Sequence, residues 1–124
     1  MGTISKFEDL EVWKQSVDLC TEVYQITNES DLAKDFSLRD QIRKSAISNP
    51  SNISEGFERN SNKSFIYFLI IAKGSCGELR TQLLLANRLS YISDEKFKIL
   101  QDQCLEVSKQ FSGFITYLKN VKSN

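Results

Sequence analysis

The sequence QIRKSAISNPSNISEGFERNSNKSFIYFLIIAKGSCGELRTQL, residues 41–83, decides the fold because it places one proline, small polar residues and three glycines within helical sequence. Its apolar residues recur at intervals of three and four, which is the spacing of a buried helix face. Polar residues interrupt that spacing. The stretch therefore predicts a polar seam inside a helical bundle, and no chemistry follows from it directly.

Four segments have the periodicity of helices. The fourth is the clearest, with Ser93 as its predicted N-cap. The third is predicted to begin near Ser61 and to end near Leu89, and the first to begin at Phe7–Glu8 and stop near Asn28 and Ser30. The predicted inward faces are, in chain order, Leu10, Trp13, Val17, Cys20 and Tyr24; Leu38, Ile42, Ala46, Asn49 and Ile53; Phe65, Leu69, Ala72, Cys76, Leu79, Leu83 and Ala86; and Phe97, Leu100, Cys104, Val107, Phe111, Phe114 and Leu118.

Pro50 makes the second helix, about Ser37 to Phe57, the least regular of the four. A proline inside a helix removes one hydrogen bond and clashes with the carbonyl four residues earlier, here Ala46. A kinked helix is predicted, with a break at Pro50 as the alternative. No alternating strand pattern is present. Four long helices with short connections predict a single all-α domain over residues 1–124, an antiparallel up-down-up-down four-helix bundle.

The composition predicts a cytoplasmic protein without a metal or cofactor. Hydrophobic residues make up 40% of the 124 residues and charged residues 26%, which is ordinary for a globular domain. The longest apolar run, residues 65–72, is too short to cross a bilayer, and the N-terminus lacks an apolar signal region. The chain has no histidine, the commonest general base and metal ligand. Cys20, Cys76 and Cys104 lie on apolar stripes, as expected of reduced thiols.

Charge is balanced overall, at 16 basic and 16 acidic residues, but it is unevenly distributed. Residues 1–30 carry two basic and six acidic side chains, whereas residues 38–92 carry eight basic and four acidic ones. This difference predicts either solvated or complementary helix faces, or a basic surface that binds nucleic acid. The candidate nucleic-acid-binding residues are Arg39, Arg43, Lys44, Arg59, Lys63, Lys73, Arg80 and Arg88.

Motifs spread over most of the chain match a known pattern. They are Phe7-Glu-Asp-Leu-Glu-Val-Trp13, Val23-Tyr24, Leu38-Arg-Asp-Gln-Ile-Arg43, Ser48-Asn-Pro-Ser-Asn-Ile-Ser-Glu-Gly56, Arg59, Phe65 with Phe68, Ala72-Lys-Gly-Ser75, Glu78-Leu79 and Thr81-Gln-Leu83. In these motifs the chain resembles the bacterial four-helix-bundle proteins encoded in intervening sequences of 23S rRNA genes. The accessory variability determinant protein of diversity-generating retroelements looks like a relative with the same fold. Asn49 departs from the apolar residue usual before this proline.

The resemblance implies self-association, in particular a homopentamer built as a barrel of bundles. The similarity to the retroelement protein implies a basic surface that binds nucleic acid. For the members encoded in rRNA genes the resemblance implies no defined biochemical role.

The polar seam is the second candidate site, formed by Asn52, Glu55, Gly56, Gly74, Ser75 and Glu78. The spacing of Asn52, Glu55 and Arg59 predicts a hydrogen-bonded chain that is either structural or contacts a partner. Gly74 weakens a helix, so a neighbouring helix is expected to approach it closely. Nothing pairs Glu55, Glu58 or Glu78 with a nucleophile or metal, and a non-enzymatic protein is predicted.

Two functions therefore remain open. In the first, the protein is an oligomer that associates with RNA or DNA, with structured RNA as the leading candidate. In the second, it is a scaffold or accessory subunit that docks a protein partner. Under the second hypothesis the basic residues pair mainly with acidic residues of the first helix, Glu8, Glu11, Asp18 and Glu22.

Overall fold

The computed structural model describes residues 4–29 and 31–121, so Ser30 lies outside the described residues. Within these ranges the chain is helical and has no strand, which confirms the all-α four-helix prediction. No described helix is long and apolar enough to span a membrane. The α-helices are α1 (Glu11–Thr27), α2 (Phe36–Glu58), α3 (Asn62–Arg88) and α4 (Asp94–Asn120), with short 3-10 helices at Phe7–Asp9 and Asp31–Lys34.

Each helix packs against the next one along the chain, and α4 returns to pack against α1. Neighbouring helices run antiparallel, because residues near the end of one helix contact residues near the start of the next. For example, Ser48 of α2 contacts Ser75 of α3. Gly56, further along α2, lies against Phe68, which comes before Ser75 in α3. The core is one continuous apolar cluster between the four helices.

Side-chain caps determine where three of the helices begin. Asp35 Oδ1 accepts from the Leu38 amide at 3.1 Å, Ser61 Oγ from the Ser64 amide at 3.2 Å, and Ser93 Oγ from the Lys96 amide at 3.1 Å. Each cap satisfies an amide that has no partner within its helix. The predicted starts of α3 and α4 are therefore confirmed.

Helix α1 begins later than predicted. Phe7–Asp9 forms a 3-10 turn, and Leu10 is extended with φ −75° and ψ 129°. Leu10 is also buried, so packing of its side chain favours this break in the backbone. The α-helix starts only at Glu11.

The predicted inward faces of α3 and α4 are largely confirmed, whereas of the face predicted for α1 only Leu10 is buried. All seven predicted residues of α3 are buried. In α4 the predicted Phe97 and Phe114 are only half-buried, and Ile115, next to Phe114, is buried. In α2 the predicted Leu38 is half-buried. Helix α1 buries Val12, Ser16, Leu19, Val23, Ile26 and Thr27.

The reason for the error in α1 is that this helix has two neighbouring apolar stripes. The structure buries the mainly aliphatic stripe and leaves Trp13, Val17, Cys20 and Tyr24 half-buried at the border. There the side chains of Trp13 and Tyr24 contact polar groups of α2, Ser54 and Arg43. Trp13 Nε1, for example, donates to Ser54 Oγ at 3.1 Å.

Helix α2 continues through Pro50, so the alternative of a break at this residue is wrong. Ser54 Oγ donates to the Pro50 carbonyl at 3.1 Å. Asn49 is fully buried, and its Nδ2 donates to the Ser45 carbonyl at 3.0 Å. Its Oδ1 has no hydrogen-bond partner among the described residues. The kink at Pro50 stays a prediction.

Aromatic rings connect the helices at one end of the bundle. The Phe57 ring lies 6.2 Å from Phe7 and 5.8 Å from Phe65, and Phe65 lies 5.2 Å from Phe114, centroid to centroid. All three pairs meet edge to face, the arrangement that ring quadrupoles favour. This cluster joins the N-terminal 3-10 helix to α2, α3 and α4.

Candidate interaction surfaces

The polar seam is a contact between α2 and α3. Ser48 Oγ and Ser75 Oγ are 2.8 Å apart, and Asn52 Nδ2 donates to both the Ser48 carbonyl and Ser48 Oγ at 2.8 Å. Arg59 Nε pairs with Glu55 Oε2 at 2.9 Å on the exposed surface. The predicted chain from Asn52 through Glu55 to Arg59 is therefore split into two separate interactions. The interaction among Asn52, Ser48 and Ser75 holds α2 against α3, which favours the structural interpretation of the seam.

Two glycines of the seam have opposite surroundings. A Cβ at Gly56 would lie 2.8 Å from Phe68 Cβ and 3.0 Å from Phe65 Cδ1, so only glycine lets α2 and α3 approach this closely. A Cβ at Gly74 would meet nothing within 4 Å. The expectation that a neighbouring helix approaches Gly74 is therefore wrong within the chain. Gly74 and the last seam residue, Glu78, lie on the exposed side of α3.

Arg43, a predicted nucleic-acid ligand, binds the end of α1 instead. Its Nε donates to Thr27 Oγ1 at 2.8 Å, and its Nη2 donates to Asn28 Oδ1 at 2.6 Å. Its guanidinium carbon also lies 4.7 Å from the centroid of the Tyr24 ring. These contacts give Arg43 a structural role, because they fix the C-terminus of α1 against α2.

Arg39 is also occupied by contacts within the chain. Its Nε pairs with Asp40 Oδ1 at 2.9 Å, and its Nη1 donates to the Ala33 carbonyl at 3.2 Å. The guanidinium lies 4.7 Å from the Phe36 ring centroid. With Arg59 paired to Glu55, three of the eight predicted basic residues are engaged locally.

The other five basic residues project into solvent. The described ion pairs are Arg39–Asp40, Arg59–Glu55, Lys96–Glu29 and Lys98–Asp102, and none of them joins α1 to α2 or α3. The pairing expected with the acidic residues of α1 therefore does not form in the described part of the chain. The exposed residues without an acidic partner there are Lys44, Lys63, Lys73, Arg80 and Arg88.

The outward side of α3 is apolar over much of its length. Tyr67 is 60% exposed, Ile70 51% and Leu85 48%, and Ile71 and Leu84 are exposed as well. These residues recur at helical spacing, with Gly74 and Gly77 between them. A Cβ at Gly77 would also meet nothing within 4 Å. The α3 outer face is the name used below for these seven residues.

A second open surface follows the line where α1 and α4 meet, called here the α1–α4 groove. It contains three clefts. In order from the N-terminal to the C-terminal end of α1, their volumes are ≈ 440, 160 and 190 Å³. Hydrogen bonds from Gln110 Nε2 to Gln15 Oε1 at 2.7 Å and from Lys96 Nζ to Glu29 Oε2 at 3.1 Å cross it.

The groove combines exposed apolar side chains with unsatisfied acceptors. Ile99 and Tyr117 are about half exposed along it. Glu22 and Gln103 also line it, and in each one side-chain oxygen is buried without a hydrogen-bond partner among the described residues. Asp18 and Glu106 lie beside Gln103, so the groove is acidic.

The thiols are free, as predicted. Cys76 Sγ donates to the Cys104 carbonyl at 3.2 Å between α3 and α4. A side-chain hydrogen bond with Cys76, together with burial, raises the pKa of the Cys104 thiol, and burial raises the pKa of the Cys20 thiol. No group of His, Cys, Asp and Glu that suits a metal ion occurs within residues 4–29 and 31–121.

The helices that carry these features form a fold that known proteins share. The profile described as 23S rRNA-intervening sequence protein matches residues 8–113, which is most of the chain. The chain belongs to the 23S rRNA-intervening sequence protein family. A solved structure from the S23 ribosomal protein family, a protein of unknown function from Bacteroides thetaiotaomicron, is 25% identical with a TM-score of 0.79. The match covers 85% of this chain and 95% of that one. No curated protein matches the sequence.

The sequence of this 23S rRNA-intervening sequence protein led us to predict neither the α3 outer face nor the α1–α4 groove. The signal for the α3 outer face was present, since Tyr67, Ile70 and Leu85 recur at helical spacing opposite the core stripe. It was hidden because the core stripe of α3 is equally regular. The α1–α4 groove gave no comparable signal, because it depends on how two helices far apart in sequence pack together.

Proposed function

We propose that this family member is a non-enzymatic protein that self-associates and binds structured RNA. The observation that carries the proposal is the set of five exposed cations without an acidic partner in the described structure, Lys44, Lys63, Lys73, Arg80 and Arg88. Lysine and arginine side chains in solvent neutralise phosphate groups and release counterions, which is the main source of affinity for nucleic acid.

The α3 outer face supports self-association. It exposes large apolar side chains in two groups, Tyr67, Ile70 and Ile71 before the glycines and Leu84 and Leu85 after them, and exposed apolar groups of this kind mark contact sites. Glycines at its centre allow another helix to approach closely. The assembly that we propose is the homopentamer implied by the family resemblance. A ring repeats each cation around its axis, so a modest patch on one copy becomes a strong field.

A scaffold that docks a protein partner is the second candidate function, and it rests on a different observation. The α3 outer face is apolar, and an apolar face binds proteins rather than phosphate groups. Three of the eight predicted cations are also engaged within the fold, which reduces the basic surface. The resemblance to the retroelement accessory protein supports the nucleic-acid function instead.

Fluorescence anisotropy with a structured ribosomal RNA fragment and an unrelated RNA tests the proposal at roughly 50 and 200 mM salt. An assembly that contacts about six phosphates is expected to lose affinity on the order of a thousandfold between these salt concentrations. The triple variant Lys44→Glu, Lys63→Glu and Arg88→Glu should abolish binding.

The matched control carries the same change in charge at exposed lysines of α1 and α4, as Lys14→Glu, Lys98→Glu and Lys109→Glu. It should keep more affinity than the first triple variant. Equal losses of RNA affinity in the two triple variants would show that only the net charge of the protein matters. That result would refute an RNA-binding surface at Lys44, Lys63 and Arg88. Absence of binding at 50 mM salt would reject RNA and leave the scaffold.

A further inference from the structure

We infer that the α3 outer face of one copy docks into the α1–α4 groove of a second copy, so that the copies join head to tail. The inference rests on the proposed self-association and names the two surfaces that meet. Docking of an apolar helix face into a groove is a common mode of protein recognition. Because the two surfaces differ, the contact is heterologous and leads to a closed ring or a filament.

The first argument is the match between apolar groups. Ile70 and Leu85 on α3 are each about half exposed, as are Ile99 and Tyr117 along the groove. The cleft beside Tyr117, of ≈ 440 Å³, is lined mainly by apolar side chains. On the helix, Gly74 at the centre of the stripe presents no side chain, which lets the backbone enter the groove.

The second argument is the match between charges and hydrogen-bonding groups. Lys73 and Arg80 lie seven residues apart on one side of α3, next to its outer face, and have no acidic partner among the described ion pairs. Across from them, the groove offers the exposed carboxylates of Asp18 and Glu106. Complementary charges steer two surfaces together and fix their register, so cations from a second copy suit this site.

A two-fold contact of α3 with itself fits these observations less well. It would cover the apolar stripe but leave the exposed carboxylates of the groove without cationic partners. The head-to-tail contact satisfies both surfaces at once. It also divides the five exposed cations: Lys73 and Arg80 serve assembly, while Lys44 on α2 and Lys63 and Arg88 at the two ends of α3 serve RNA.

The test uses two variants of the full chain that each block one surface. Ile70→Glu with Leu85→Glu blocks the α3 outer face, and Ile99→Glu with Tyr117→Glu blocks the groove. All four side chains are about half exposed, so the bundle should still fold. Ile47→Glu, at a similarly exposed position on α2, is the control. Circular dichroism checks folding, and light scattering after size exclusion gives the mass.

We expect each blocked variant alone to be a monomer and the Ile47→Glu control to assemble like the wild type. An equimolar mixture of the two blocked variants should form a one-to-one dimer, because each supplies the surface that the other has lost. Wild-type mass for the groove variant would overturn the head-to-tail contact while leaving self-association intact. Two variants that remain monomers after mixing would also overturn it. A monomeric wild type would instead reject self-association itself.

Discussion

Gly56 is the residue whose substitution should affect stability most directly. Its missing Cβ would lie 2.8 Å from Phe68 Cβ, closer than real Cβ contacts. Gly56→Ala is therefore expected to force α2 and α3 apart and to lower the free energy of unfolding by about 1–3 kcal/mol. Chemical denaturation followed by circular dichroism measures this change.

Gly113→Ala is the matched control, because a Cβ at Gly113 in α4 would meet nothing within 4 Å. Alanine favours a helix over glycine by roughly 1 kcal/mol, so this variant should be slightly more stable than the wild type. If both variants changed stability in the same direction, the close approach at Gly56 would not be the cause.

Arg43 and Lys44 are neighbours with different expected roles. Arg43→Gln removes charged hydrogen bonds to Thr27 and Asn28 and should lower the free energy of unfolding by about 1–3 kcal/mol. Its RNA affinity should stay close to that of the wild type, because Arg43 is held against α1. Lys44→Gln should show the reverse pattern. Urea unfolding and RNA anisotropy of both variants check this, and a large loss of RNA affinity in Arg43→Gln would contradict it.

The same pair shows what sequence can predict about a single residue. The basic character of both positions was predicted, but the division of their roles was not. Arg43 finds Thr27 and Asn28 only because the end of α1 packs beside α2. That position is set by tertiary structure, and nothing in the local sequence around Arg43 reports it.

Pro50 tests how an irregular helix affects the rest of the molecule. Pro50→Ala restores an amide that can donate to the Ala46 carbonyl, so the four-helix fold should remain and α2 should straighten. A straighter α2 moves the polar seam against α3, and we expect a changed mass by light scattering and a changed RNA affinity. Unchanged mass and affinity would count against a functional role for the seam.

Whole elements were predicted with unequal success for a physical reason. Helix α3 has one apolar stripe that runs unbroken along its length, since Gly74, Gly77 and Glu78 interrupt its outer face, and all seven of its predicted core residues are buried. Helix α1 has two such stripes, and spacing alone does not choose between them. The choice depends on the polar groups of α2 that receive Trp13 and Tyr24, so it follows from packing rather than periodicity.

At the scale of the molecule, self-association should make thermal stability depend on protein concentration. Copies that bind only the folded state stabilise it by mass action, so a hundredfold increase in concentration should raise Tm by roughly 10 °C. The variant with Ile70→Glu and Leu85→Glu should lose this dependence. Differential scanning calorimetry at several concentrations measures it, and a constant wild-type Tm would contradict assembly.

The position of Trp13 gives the molecule a built-in optical reporter. It is the only tryptophan in the chain, its ring lies 5.6 Å from that of Phe7, and its indole N–H is bonded to Ser54, four residues beyond Pro50. Its emission wavelength therefore senses solvent at the α1–α2 junction alone, whereas far-ultraviolet ellipticity averages over all four helices. If the emission shifts to the red before ellipticity falls, α1 detaches first, and unlabelled protein is sufficient to observe it.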